Sequence, residues 1–127
     1  MDRKLRVLVI DDEPLIGRAI QRSLPEVSVE TVTLAAEGLQ RCQAEDFDIV
    51  FCDILMPGLN GREVYQQLKA SHPDRAKRFV FMTGGSFVAW VQRFIEEVSN
   101  EVLLKPFSRN RLQAVVENVR ANLTPPL

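Results

Sequence analysis

Five polar side chains, Asp11, Asp12, Asp53, Thr83 and Lys105, stand at the ends of short apolar runs. Residues 6–10 run into Asp11-Asp12, 49–52 into Asp53, 79–82 into Thr83, and 102–104 into Lys105. Carboxylates are hard oxygen ligands of the kind that hold Mg²⁺, which keeps several waters and takes one or two carboxylates plus phosphate oxygens. An aspartate can also attack phosphorus and form an acyl phosphate. A hydroxyl and a mobile ammonium can then neutralise charge on the transferred group, where positioning and electrostatics are nearly all a protein supplies. Together these residues make the parts of an acidic Mg²⁺ site that accepts a phosphoryl group.

The elements that must position them follow from hydrophobic pattern. The four apolar runs are continuous rather than alternating, which is how a strand covered on both faces reads. Residues 27–33 are more polar and alternate, so they belong at a sheet edge. Between the strands lie segments of helical period: Leu15, Ile16, Ala19, Ile20 and Leu24; Ala35, Leu39 and Cys42; Val64, Tyr65 and Leu68; Val91, Phe94, Ile95 and Val98; and Leu112, Val115, Val116, Val119 and Leu123. Pro14 suits a first helical turn, Asn60 with Glu63 makes a capping box, and Ser108 can cap the last helix. Five strands alternating with five helices predict an α/β fold, a doubly wound parallel sheet with right-handed crossovers. Ligands of such sheets bind beyond the carboxyl ends of the strands, so four separate stretches of sequence converge on one site.

At 127 residues the chain fits one domain, residues 1–127, with about 121–127 as a tail ending in Pro125-Pro126. Its net charge of −1, from 16 basic and 17 acidic residues, gives no field that would recruit nucleic acid or a membrane surface. Cys42 and Cys52 form no close-spaced metal pattern and read as buried hydrophobes, in keeping with a reduced cytoplasmic compartment. No secretion signal is visible at the N-terminus, and the apolar runs fall far short of the ~20 residues of a spanning helix.

In its order of Asp11-Asp12, Asp53, Thr83 and Lys105-Pro106, the chain resembles the receiver domains of two-component response regulators over essentially its whole length. The resemblance implies a five-stranded, flavodoxin-like sheet of order 2-1-3-4-5. It implies that Asp53 takes a phosphoryl group from a phosphohistidine on a histidine kinase or histidine phosphotransfer protein. It further implies that Asp12, Asp53 and the Leu55 backbone carbonyl ligate Mg²⁺, with Asp11 acting through water. Thr83 and Lys105 would hold the phosphoryl group, and the Lys105–Pro106 peptide would be cis. Such a domain assists its own phosphorylation and dephosphorylation without being a conventional enzyme, and switches at the face formed by its fourth helix, fifth strand and fifth helix. A downstream effector or catalytic domain would lie outside this chain.

Two positions depart from the family. The residue three before the lysine is usually an aromatic switch, and here it is Val102, which has no ring to swing. Thr83 is followed by Gly84-Gly85-Ser86-Phe87, a run similar to the receivers of hybrid sensor histidine kinases. Neither Leu55 nor Gly85 offers a polar group to orient an attacking water, so slow self-dephosphorylation is expected. Phe87, Trp90 and Phe94 fall on one helical face, which is either ordinary core or, at Trp90, part of a docking surface.

Rival readings fit the residues less well. A flavodoxin-like cofactor binder needs an anion-cradling loop after its first strand, where Asp11-Asp12-Glu13 would repel phosphate. An aspartyl-phosphate phosphatase would carry an acid two residues beyond the nucleophile, where this chain has Leu55. A degenerate receiver acting only as an interaction module would not need the complete acidic, hydroxyl and lysine set.

Overall fold

The computed structural model describes residues 4–85 and 88–123. Five parallel strands form one sheet in the order β2-β1-β3-β4-β5. They are β1 (Arg6–Ile10), β2 (Ser28–Val32), β3 (Ile49–Asp53), β4 (Phe79–Thr83) and β5 (Val102–Leu104). The helices are α1 (Pro14–Ser23), α2 (Ala35–Ala44), α3 (Gly61–Ser71), α4 (Pro73–Ala76), α5 (Ala89–Glu97) and α6 (Arg109–Ala121). The four-residue α4 is one helix more than the periodicity predicts. It directly follows the α3 cap His72 and starts on Pro73, too short to carry a period of its own. The predicted fourth and fifth helices are therefore α5 and α6.

Strand side chains alternate, so each strand feeds two cores. Val7, Val9, Ile49, Phe51, Val80, Met82 and Leu103 pack with Ile20 and Leu24 of the α1 region and Leu112, Val115 and Val116 of α6. Leu8, Ile10, Val50, Cys52, Phe79 and Phe81 pack on the opposite face with Leu39 of α2, Val64 and Leu68 of α3, and Val91 and Phe94 of α5. Both cysteines are free and buried in this second core. The edge strand β2 has the partly open pattern its polar alternation predicts.

Two expected buried positions are exposed. Leu15 is 61% exposed, because it sits in the first turn of α1 and faces outward while Ile20 carries the inward stripe. Leu104 is also 61% exposed: the run 102–104 reads as a strand covered on both faces, but β5 is an edge strand and only Leu103 is buried. Helix starts follow local chemistry: Pro14 opens α1, Asn60 and Glu63 exchange both bonds of a capping box at α3, and the Ser108 hydroxyl accepts the Arg111 N–H at α6. Among the described residues no helix is long and apolar enough to cross a membrane.

Candidate functional site

The chain runs outward from β1 to β2, then crosses back over β1 to β3, so the order reverses between β1 and β3. Helices leave that point in opposite directions and open a crevice beyond the strand ends. Asp11 and Asp12 follow β1 and Asp53 is the last residue of β3, which puts all three in the crevice. One carboxylate oxygen from each lies within 4.8 Å of the others.

Their environments differ. Asp11 is 2% exposed, and its carboxylate accepts the Glu13 N–H at 2.9 Å and the Lys105 ammonium at 2.7 Å. Asp12 is exposed. Asp53 is 7% exposed, with Lys105 Nζ at 3.4 Å from its Oδ1. The lysine reaches both acids from the end of β5, where its own N–H donates to the Thr83 carbonyl at 2.8 Å and prolongs the β4–β5 ladder. The Lys105–Pro106 peptide is cis. Thr83 ends β4 and is buried, whereas the Leu55 side chain, two residues past Asp53, is 43% exposed. Val102 opens β5, half-buried and opposite Phe81 in register.

The loop beyond Asp53 is fixed by two glycines. Gly58 has φ +77°, a left-handed conformation that costs a residue with a Cβ. Gly61 starts α3 hard against the end of β3: a Cβ there would collide with the Asp53 carbonyl oxygen and stand 2.8 Å from Ile54 Cα. Its N–H donates to the Ile54 carbonyl at 2.8 Å.

Three carboxylates face one ammonium. Burial pushes the Asp53 carboxyl up to about 6; the charge of Lys105 opposes this, and those of Asp11 and Asp12 add to it. For Lys105, burial favours the neutral amine, but the hydrogen bond to Asp11 and the charges of Asp53 and Asp11 outweigh it and raise the group above the ordinary lysine range. Both shifts favour the protonated form of the group concerned. Clustered, hard, partly buried oxygens of this kind fit Mg²⁺.

Sequence reasoning missed two features. Every large apolar side chain that is exposed among the described residues lies beyond or at a strand end: Leu15, Leu34, Leu55, Val88 and Leu104. Three of them, Leu15, Leu34 and Leu55, stand in the segments that leave β1, β2 and β3, and Leu104 lines the groove beside Val102 and Phe107. The second is Arg62, whose guanidinium lies 4.4 Å from the centroid of the Trp90 ring. Trp90 is half-buried and Phe94 buried, as the core reading of that stripe expects for Phe94; Phe87 lies outside the described residues.

The response regulator receiver domain profile matches residues 7–117, and the chain belongs to that family. The transcriptional activator protein IrlR of Burkholderia pseudomallei is 26% identical over 91% of this chain and 50% of its own length. A probable chemotaxis protein CheY of Rhizobium etli is also 26% identical, over 91% of this chain and 92% of its own. The chain thus spans about half of IrlR and nearly all of that CheY. Among solved structures, the receiver domain of sensor histidine kinase PA1611 from Pseudomonas aeruginosa PAO1, with a magnesium ion coordinated in its active-site cleft, superposes with a TM-score of 0.80 at 20% identity, covering 94% of this chain and 99% of that one. A role in two-component signal transduction follows from the family, and the sheet order is that of its CheY-like fold.

Proposed function

We propose that residues 1–127 act as one phosphoacceptor domain in which Asp53 takes a phosphoryl group from a phosphohistidine of a histidine kinase or histidine phosphotransfer protein. The observation that carries this is the Lys105 ammonium lying 2.7 Å from Asp11 and 3.4 Å from Asp53, within a cluster of three carboxylates. An Asp53 oxygen attacks the phosphorus, a P–O bond forms, and the P–N bond breaks with its electron pair leaving on the imidazole nitrogen. Lys105 moves from pairing two carboxylates to pairing the transferred oxygens, and the Thr83 hydroxyl donates to the same group.

Asp12, Asp53 and the Leu55 carbonyl are the groups that would hold Mg²⁺, with Asp11 reaching it through water. Bound there, the ion would offset repulsion between the acids and the incoming phosphoryl group. The PA1611 receiver, whose cleft holds magnesium, is a fold-level parallel. In this reading the domain works in the cytoplasm, reaches its output through an effector or catalytic domain outside these residues, and contacts neither nucleic acid nor membrane itself. It is either a stand-alone regulator or the receiver of a hybrid kinase.

Phosphorylation biases a pre-existing equilibrium at the face of α5, β5 and α6. An open apolar groove of about 630 Å³ lies there, lined by Ile95, Val102, Leu104, Pro106, Phe107 and Arg111 among others. The acyl phosphate is long-lived, since Leu55 and Gly85 present no polar side chain to a water. A half-life of seconds in Mg²⁺ buffer without a phosphatase would contradict that. The central test treats wild type and Asp53→Ala with a small phosphodonor and Mg²⁺ and weighs both intact. A phosphoryl increment on wild type alone is expected; an increment on neither leaves an interaction module, and one on both removes Asp53 as acceptor.

A further inference from the structure

Val102 on β5 carries no aromatic ring, and another path joins the candidate acceptor to α5. The first residue of α3, Gly61, is seated against the backbone of Asp53 and Ile54 with no room for a methyl group, and its N–H is bonded to Ile54. A shift of the Asp53 backbone therefore passes to α3 without slack. The capping box of Asn60 and Glu63 holds that first turn together as a unit.

Arg62 follows immediately, and its guanidinium covers Trp90 in the first turn of α5. One turn further along both helices, Tyr65 meets Phe94 edge-to-face at 5.9 Å, and Phe94 meets Phe81 of β4 at 4.9 Å. The α3–α5 seam thus has two rungs of different character. The Tyr65–Phe94 rung is anchored in the core. The Arg62–Trp90 rung is not: the Arg62 Nε is buried without a hydrogen-bond partner, alone in this among the described residues' side-chain atoms. A cation–π contact favours this stack and an orphaned donor opposes it, with magnitudes of the same order. Such a contact can be tipped by a small displacement at its base. Beside it lies an open pocket of about 250 Å³ lined by Arg62, Gln66, Trp90, Arg93, Phe94 and Glu97, room into which the guanidinium can move.

We propose that modification of Asp53 is transmitted to α5 through α3, by release or reseating of the Arg62–Trp90 stack, in place of a ring on β5. The inference rests on the reading of Asp53 as phosphoacceptor, and the test separates the two. The 127-residue wild type, Arg62→Met and Arg62→Lys are treated with phosphoramidate and Mg²⁺, and each is followed by intact mass and by amide hydrogen exchange of residues 89–97. Emission of Trp90, the sole tryptophan, reports on the stack itself. Expected are a phosphoryl increment on all three proteins, a changed exchange rate in α5 of the wild type, loss of that change in Arg62→Met, and its partial retention in Arg62→Lys. A purely structural arginine would alter the baseline exchange and leave the response to phosphorylation intact. The proposal is overturned if phosphorylated Arg62→Met changes as much as wild type, or if phosphorylated wild type shows no change in α5 exchange or Trp90 emission. Absence of the increment on wild type overturns the acceptor reading, and the inference with it.

Discussion

At the carboxyl ends of β1 and β3, three carboxylates and one ammonium share a crevice that water barely reaches at Asp11 and Asp53. On the flank made by α5, β5 and α6, the residues turned to the surface are Val102, Leu104, Ile95 and Phe107, lining an open groove. The first region stores charge in a place where charge is costly; the second leaves apolar surface where water must cover it. Each is unfavourable in the isolated chain, and under the proposed function each would be relieved by something arriving, a cation and a phosphoryl group at one, apolar surface of a partner at the other. The difference lies in how they respond to mutation. Changes at the crevice should move stability strongly and in either sign, while changes on the flank should hardly move it.

The largest effect is expected at Lys105. Replacing it by Met leaves the buried Asp11 and Asp53 carboxylates facing each other without their cation, and breaking a buried pair in this way costs about 3 kcal/mol. Urea denaturation in EDTA at pH 7.5 measures it. Added Mg²⁺ should recover part of the loss by binding the folded state alone. If Lys105→Met unfolds at the wild-type midpoint in EDTA, the crevice is no more sensitive to charge removal than the flank.

Asp53→Asn should act with the opposite sign. The carboxyl sits at about 6 in the fold against 3.8 ordinarily, so between those pH values the folded protein retains a proton that the unfolded chain has released. Stability contributed by this group is therefore present below pH 3.8 and falls as pH rises through 6. Asn does not ionise, and Lys105 keeps Asp11 as a partner. In EDTA the variant should match wild type near pH 4 and exceed it by about 1–3 kcal/mol at pH 8, the scale of a shift of this size. Mg²⁺ should narrow the gap at pH 8 by stabilising wild type. A variant less stable than wild type at pH 8 in EDTA would show that the cluster's excess negative charge is not felt by the fold.

Between the regions lies the α3 start. Asn60→Ala removes one half of the capping box and should cost about 1 kcal/mol, the usual worth of such a cap. A thermal melt measures this, and equal melting temperatures would mean that Gly61, wedged against Asp53, holds the helix start by itself.

The crevice was nearly all legible in the sequence, and the reason is topological. A buried parallel strand reads as an unbroken apolar run, so the first polar residue after it marks the sheet's reactive edge. Asp11, Asp12, Asp53, Thr83 and Lys105 need no side-chain detail to be placed there. Arg62 was opaque for the converse reason: a charged residue off the apolar stripe of its helix has no periodic signature, and its partner Trp90 comes from a helix far along the chain. Leu15 was misplaced because period alone does not say which way the first turn of a helix faces. The short α4 escaped because four residues headed by a proline read as a turn.

The smallest effect is expected at Val102, and it separates the regions most cleanly. The position is half-buried on an edge strand beside an open groove, so a larger side chain has somewhere to go. Val102→Tyr should change stability by less than about 0.5 kcal/mol, as substitutions away from packed or polar-buried sites do. Phosphoryl uptake by intact mass should be unaltered, because the substitution leaves the pairing of Lys105 with Asp11 and Asp53 untouched. The informative readout is then α5 exchange in Val102→Tyr combined with Arg62→Met. If the added ring restores the response lost with Arg62, β5 and α3 are interchangeable routes from one acceptor to one helix. If it does not, the aromatic position on β5 works only with partners this chain lacks, and the α3 route is specific to the stack it carries.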